Sequence, residues 1–253
     1  METRSLALHH MASDEIAEVL QRDPRLLVPV GALDQHGPHL PLGANTMIAK
    51  RVANDLSRIL SLLVAPPLPY GIVHPDGEAY AGTAGLRRKT FHRAVNELLA
   101  SWDDHGVTEL VVITAQRHEP HLEALLTALT PQASTTVVDL MMLDVSDILE
   151  GNPREERGGE LETSLMLHLA VDLVRPDRIA DFHPPQESLR RYLQGKVATP
   201  LPEFRGSVGY ASRASAEKGR KVYERYLQIL TDSFRNPQIG GDSNAPLPEP
   251  EGS

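Results

Sequence analysis

Three short apolar runs frame this chain, and the clearest, Leu110-Val111-Val112-Ile113, is uninterrupted by any polar residue and too short to be a helix of its own. Such a run suits a strand buried on both faces, as in a parallel sheet sheltered by helices. Leu26-Leu27-Val28-Pro29-Val30, bounded by Asp23-Pro24 and Gly31, reads the same way, and Pro29 inside it predicts an edge position or a bulge. Residues 62–65 supply the third run, and 135–140 read as a further strand. Between them lie stretches of helical period. Residues 46–60 put Ile48, Val52, Leu56 and Ile59 on one face, with Asn45 or Thr46 as the cap. Residues 90–104 do so with Phe91, Val95, Leu98, Leu99 and Trp102, and Gly106 ends them. Helices over 13–21, 120–129, 160–173 and 215–234 complete the alternation. The expected fold is therefore α/β, a three-layer α/β/α arrangement with a mostly parallel sheet, formed by residues 1–236 as one domain. Residues 237–253 are Pro, Gly, Asp, Ser and Glu for the most part, cannot bury a core, and are expected to be disordered.

Composition narrows the chemistry. The formal charge of −9 argues against a nucleic-acid partner, because phosphate binding needs clustered Lys and Arg. There is no cysteine, so a thiolate nucleophile, a disulfide frame and a thiolate metal site are all excluded. The first residues lack the order of a secretory signal and no apolar run is long enough for a membrane span, which leads to the expectation of a cytoplasmic protein with no membrane partner.

In a parallel sheet, ligands bind beyond the carboxyl ends of the strands, so the segments after Val30 and Ile113 carry the search for a site. The loop after Val30 runs Gly31-Ala32-Leu33-Asp34-Gln35-His36-Gly37-Pro38-His39 and continues to Gly43-Ala44-Asn45-Thr46. Asp34 and His36 stand two apart, so on extended backbone both side chains face one side, as two ligands of one metal must. The same loop also fits a solvated turn whose histidines only form hydrogen bonds. A Pro- and Gly-rich stretch over 66–85 is too long for an idle connection; its Tyr70, His74 and Thr83 are candidates to contact a substrate.

These segments, taken in order, resemble the creatininase family of metal-dependent amidohydrolases. The loop around Asp34 and His36 is similar to that family's Val-Gly-x-x-Glu-x-His-Gly-x-His signature, followed nine residues after the His by an Asp. Tyr70-Gly71 and Gly82-Thr83 match its substrate-side loop, Gly158-Gly159-Glu160-Leu161-Glu162-Thr163-Ser164 its Gly-rich helix start, and Ala214-Ser215-Ala216-Glu217-Lys218-Gly219 the start of its last helix. The resemblance implies a creatininase-like α/β fold, a small-molecule amide substrate, a ring of subunits, and two divalent ions that activate a water.

Transferred residue by residue, the implied metal ligands fall on Asp34 in place of a Glu, on an unchanged His36, and on Asn45 in place of the bridging Asp. The strand-end His falls on Gln116, with His118 two residues on, and Glu162 stands as a further carboxylate. A Glu-His pair that moves protons falls on Glu156-Arg157; Glu156 or Glu119 is then the candidate base, and Arg157 either forks onto a carboxylate or phosphate or lies solvated. Two dications about 3.5 to 4 Å apart repel by on the order of 20 kcal/mol even at a dielectric near 20, and the neutral Asn45 cannot offset that. The sequence thus leaves two readings. One is an amidohydrolase with a single divalent ion, zinc by its ligand types, held by Asp34, His36 and His118 with Glu162 or His121. The other is a metal-free pseudoenzyme that keeps the fold as a binding or assembly subunit. Both are expected as homo-oligomers.

Overall fold

In the computed structural model, Leu26, Val28 and Val30 face one side of the sheet and Leu27 the other, so a run that is uniformly apolar in sequence feeds two separate cores. The structure describes residues 5–75, 79–193 and 205–235. The expected disordered segment 237–253 lies outside the described residues.

Five strands form one sheet: β1 (Leu6–Ala7), β2 (Arg25–Val30), β3 (Leu63–Val64), β4 (Glu109–Thr114) and β5 (Ser134–Asp139). Their order is β1-β3-β2-β4-β5 and every pairing is parallel. Helices α1 (Ser13–Arg22), α3 (Arg88–Asp103) and α4 (Glu119–Leu126) bring Val19, Phe91, Val95 and Leu125 to one face. On the other, α2 (Ala44–Leu60), α5 (Glu160–Leu169) and α7 (Ala216–Arg235) pack Ile48, Val52, Leu165 and Tyr226 against Leu27, Val111 and Ile113. The chain is α/β with its parallel sheet between helices, as its apolar alternation implies.

Three local expectations need correcting. β2 lies inside the sheet, between β3 and β4, although Pro29 predicts an edge or a bulge. The carbonyls of Leu27 and Pro29 accept from Ala65 and Leu68, each at 2.9 Å, so the missing N–H of Pro29 points to the side where β3 has already stopped at Val64. Locally the strand has a free edge there, which is where proline is tolerated. Helix α2 begins at Ala44 after Gly43, so Asn45 and Thr46 sit in its first turn, not at its cap. The helix expected over 160–173 ends at Leu169; Ala170, at φ −157° and ψ 58°, breaks it before a 3-10 turn at Val171–Leu173. The two-residue β1 and the polar α6 (Gln186–Leu193) carry too little apolar pattern to be read from sequence.

Two glycines bring these elements together over the sheet edge. A Cβ on Gly31 would lie 2.2 Å from Thr46 Oγ1, so the end of β2 and the start of α2 meet only because that side chain is absent. Gly158 has φ +60°, and a Cβ there would fall 2.5 Å from the His36 carbonyl oxygen. The start of α5 is thereby seated on the loop that follows β2.

Candidate active site

Val30 pairs with Thr114 across the sheet, so β2 and β4 deliver the loops that follow them to one place. Asp34 leaves the first loop and Gln116 the second; both are buried, and Gln116 Nε2 donates to Asp34 Oδ2 at 3.1 Å. The same carboxylate accepts from the backbone N–H of Gln35 at 2.9 Å and of His74 at 3.1 Å. Its fourth partner is the guanidinium of Arg157, with Nη2 2.5 Å from Oδ2 and side chains 2% and 0% exposed. Burial alone would raise the Asp34 pKa; Arg157, followed by His36 and the hydrogen bonds, overcomes it and holds the carboxyl below its ordinary value. Arg157 is thus neither solvated nor open to a ligand's acid group through that nitrogen, because it grips the chain's own carboxylate.

A second half of the cluster lies beside the first. The His36 Nδ1 faces the Asp34 carbonyl oxygen at 2.9 Å, and since a carbonyl only accepts, that nitrogen carries the proton. Its Nε2 is turned towards Glu162 Oε1, 3.4 Å away. Glu162, in the first turn of α5, also accepts from the Gly158 N–H through Oε2. Between the halves stands the Asn45 carboxamide. With its nitrogen towards Gln116 it donates to the Gln116 oxygen, whose own amide continues to Asp34. Turned over, it donates to Glu162 Oε1 at 2.8 Å, to the Ala115 carbonyl at 3.2 Å and to His36 Nε2 at 3.0 Å. Position 45 is therefore a neutral link between two buried carboxylates.

Four further histidines are buried here. His118 donates from Nδ1 to the Ile72 carbonyl at 3.3 Å, and its Nε2 is buried with no hydrogen-bond partner among the described residues. Its ring lies 4.4 Å from that of His74. His121 accepts the Ile72 N–H on Nδ1 at 3.1 Å and stacks on Phe91, so it fastens the loop after β3 to the sheet face. The Nε2 of His39 is 2.9 Å from Thr163 Oγ1. Burial, the largest cause in each case, pushes His118 and His39 down to about 4 and His121 to about 3, and holds His74 well below its ordinary value. These imidazoles are neutral at pH 7.

The remaining sequence candidates are placed differently. Both oxygens of Glu156 are committed to backbone N–H groups, of Glu160 at 2.7 Å and Tyr210 at 3.0 Å, and burial raises its pKa. It serves the first turn of α5. Glu119 is exposed at the start of α4, and Tyr70 is 49% exposed. Thr83 is half-buried beside the Tyr80 turn, with its backbone N–H 3.2 Å from the Tyr80 carbonyl. Two contributors have no signal in the sequence: the Ile72 backbone, which orients His118 and His121, and Gln35, whose Oε1 accepts the Gly37 N–H at 3.0 Å.

A two-ion centre does not fit these residues. Arg157 already supplies the cation on Asp34, Asn45 brings no charge to bridge two ions, and Gln116 spends its amide on Asp34. Among the described residues, no group of three or more His, Asp or Glu side chains is arranged to hold a metal ion.

Comparison with known proteins agrees with this architecture. The family model described as creatininase, creatinine amidohydrolase, matches residues 9–234. A creatinine amidohydrolase of Pseudomonas putida is 29% identical over 242 residues, covering 87% of this chain and 92% of that protein. A mycofactocin precursor peptide peptidase of Mycolicibacterium smegmatis is 26% identical over 224 residues, covering 84% and 85%. Among solved structures, a mutant creatininase described as Zn-Zn type superposes with a TM-score of 0.74 at 27% identity, covering 92% of this chain and 98% of that one.

Proposed function

The chain belongs to the creatininase family, and from that premise we propose that it is an amidohydrolase-type protein whose metal centre has given way to an arginine–carboxylate pair, leaving a binding or assembly subunit. The observation that carries this is Arg157 Nη2 at 2.5 Å from Asp34 Oδ2, with both side chains buried. A dication and a guanidinium on one carboxylate oxygen repel strongly at any dielectric a protein interior offers. Without a dication there is no Lewis acid to polarise an amide carbonyl and no water of lowered pKa. Glu156, the nearest candidate base in sequence, has both oxygens engaged by backbone. The test is metal analysis by plasma mass spectrometry on protein purified without added metal, beside hydrolysis assays on creatinine and on short peptides with Zn2+ or Mn2+ supplied. The expected outcome is well under one ion per chain and no metal-stimulated turnover; stoichiometric metal with hydrolysis overturns the reading.

One observation favours a second reading, a single-zinc amidohydrolase acting on a small cyclic or linear amide. The buried Nε2 of His118 has no partner among the described residues, and His36 presents its Nε2 towards Glu162. One bound zinc with measurable amide turnover in the same assays would select it. We also read the protein as a homo-oligomer, since Leu98, Leu126 and Leu129 of the α3–α4 side are 42%, 60% and 78% exposed. Light scattering at the 27.8 kDa monomer mass would refute that.

A further inference from the structure

Helix α7 ends at Arg235 and the family match at residue 234, yet the chain continues through residues 236–253. That segment lies outside the described residues, and its composition is one-sided. It carries Asp242, Glu249 and Glu251 with no Lys or Arg, and it sets Leu247 between Pro246 and Pro248.

The surface at the end of α7 leads towards the opposite face of the sheet. Arg25 Nη1 donates to the Phe234 carbonyl at 2.8 Å, at the amino edge where β2 and β4 begin. A cavity of about 450 Å3 opens there, with Arg22, Arg25 and Arg235 in its wall against Asp23 and Glu109, so its charge is net positive. It adjoins a second cavity on the α1–α3 side. Gln21 and Val107 line the second where their chain neighbours Arg22 and Thr108 line the first, and the Thr108 N–H donates to the Pro24 carbonyl there at 3.0 Å. This second cavity, of about 540 Å3, is walled mainly by Leu8, Ile16, Leu20, Leu26, Leu63 and Trp102. Trp102 is half-buried and Leu98, one turn before it on α3, is 42% exposed.

We propose that the segment following α7 folds back over the amino edge and docks residues 246–250 in the groove beside Trp102, with Leu247 in the apolar cavity and Asp242 passing the arginines. Eleven residues separate Arg235 from Pro246, a reach of up to roughly 36 Å, which spans two adjoining cavities. Prolines suit an apolar groove, since they have no N–H to strip of water and little freedom of φ to lose. The tether also favours this occupant over a second copy, because it holds the segment at an effective concentration on the order of millimolar. A second copy brings the same formal charge of −9 and must overcome that repulsion. The candidate site lies at the carboxyl edge of the sheet, so the inference stands apart from the functional reading above.

The experiment uses the full chain, whose one tryptophan and lack of cysteine make Trp102 a unique donor and Gly252→Cys a unique attachment point for a dansyl acceptor. Acrylamide quenching of Trp102 and energy transfer to the dansyl group are measured over a dilution series, with and without Leu247→Asp. The parent chain should show a shielded indole and strong transfer at every concentration. Leu247→Asp should lower the docked-to-undocked ratio by about ten- to a hundred-fold, raising the quenching and weakening the transfer. Ala17→Asp, at an exposed position of α1 in the groove wall, should do the same by repelling the acidic segment. Neither position is in the core, and unchanged far-UV circular dichroism checks that both variants fold. Quenching and transfer that ignore Leu247→Asp overturn the proposal. So does shielding that disappears on dilution, which assigns the groove to a second copy of the chain.

Discussion

Asp34–Arg157 and Glu160–Lys218 are the same chemical pair in two settings. Each carboxylate is 0% exposed, and each also accepts two backbone N–H groups, from Gln35 and His74 in one case and from Glu150 and Gly151 in the other. The cations differ. The Lys218 side chain is 20% exposed, is shared with Glu150, itself 61% exposed, and donates to the Arg213 carbonyl, so its charge is partly hydrated and spread over several oxygens. Arg157 is 2% exposed, with its guanidinium on a fully buried carboxylate. The lysine pair clasps the start of α5 to the start of α7. The arginine pair joins the loop after β2 to the segment that leads into α5.

The largest effect that could break this contrast is the loss of either cation. Arg157→Ala should cost about 3 to 5 kcal/mol, because it strands a buried carboxylate, whereas Lys218→Ala should cost about 1 kcal/mol, since the ammonium is itself partly exposed and water can take its place. Urea titrations giving equal losses would erase the distinction. A smaller effect comes with pH. His118 and His121 have folded pKa values of about 4 and about 3, below the unfolded value of 6.5, so the unfolded chain takes up protons first. Their stabilising contribution is complete above pH 6.5 and is lost as pH falls towards 4, each pKa unit being about 1.4 kcal/mol. Asp34, also depressed, adds its loss only below the ordinary carboxylate range. The Lys218 pKa is raised, so the contribution of that pair stays level across the histidine window. The urea midpoint should therefore fall steadily from pH 7 to 4, and His118→Gln should flatten the slope; an unchanged slope would mean that His118 is not held neutral. The smallest effect is with salt. Raising KCl from 0.05 to 1 M should shrink the Lys218→Ala penalty by a few tenths of a kcal/mol and leave that of Arg157→Ala unchanged.

Much of the fold could be read from the chain because strands and helices declare themselves in different periods. β2, β4 and α3 fall within one or two residues of their apolar runs. What escaped has a physical reason in each case: β1 has two residues, and the position of Pro29 depended on where a neighbouring strand stops. At the site, the loop holding Asp34 and His36 drew notice because its polar density is local. The partnership of Asp34 with Arg157 was invisible, since the two are far apart in sequence and Arg157 on a polar loop looks like any solvated arginine. Its burial is created by Gly158, whose backbone seats the start of α5 on the His36 carbonyl. The roles of the Ile72 carbonyl and N–H could not be read at all, because backbone groups leave no mark in residue identity.

The amide contact between Asn45 and Gln116 makes the two positions interdependent. Changing Asn45 alone to aspartate would set a second anion beside Glu162 Oε1, 2.8 Å from the present amide. Changing Gln116 alone would strip Asp34 of a donor. Each single change towards a charged ligand set is therefore expected to give a less stable protein while Arg157 holds its place.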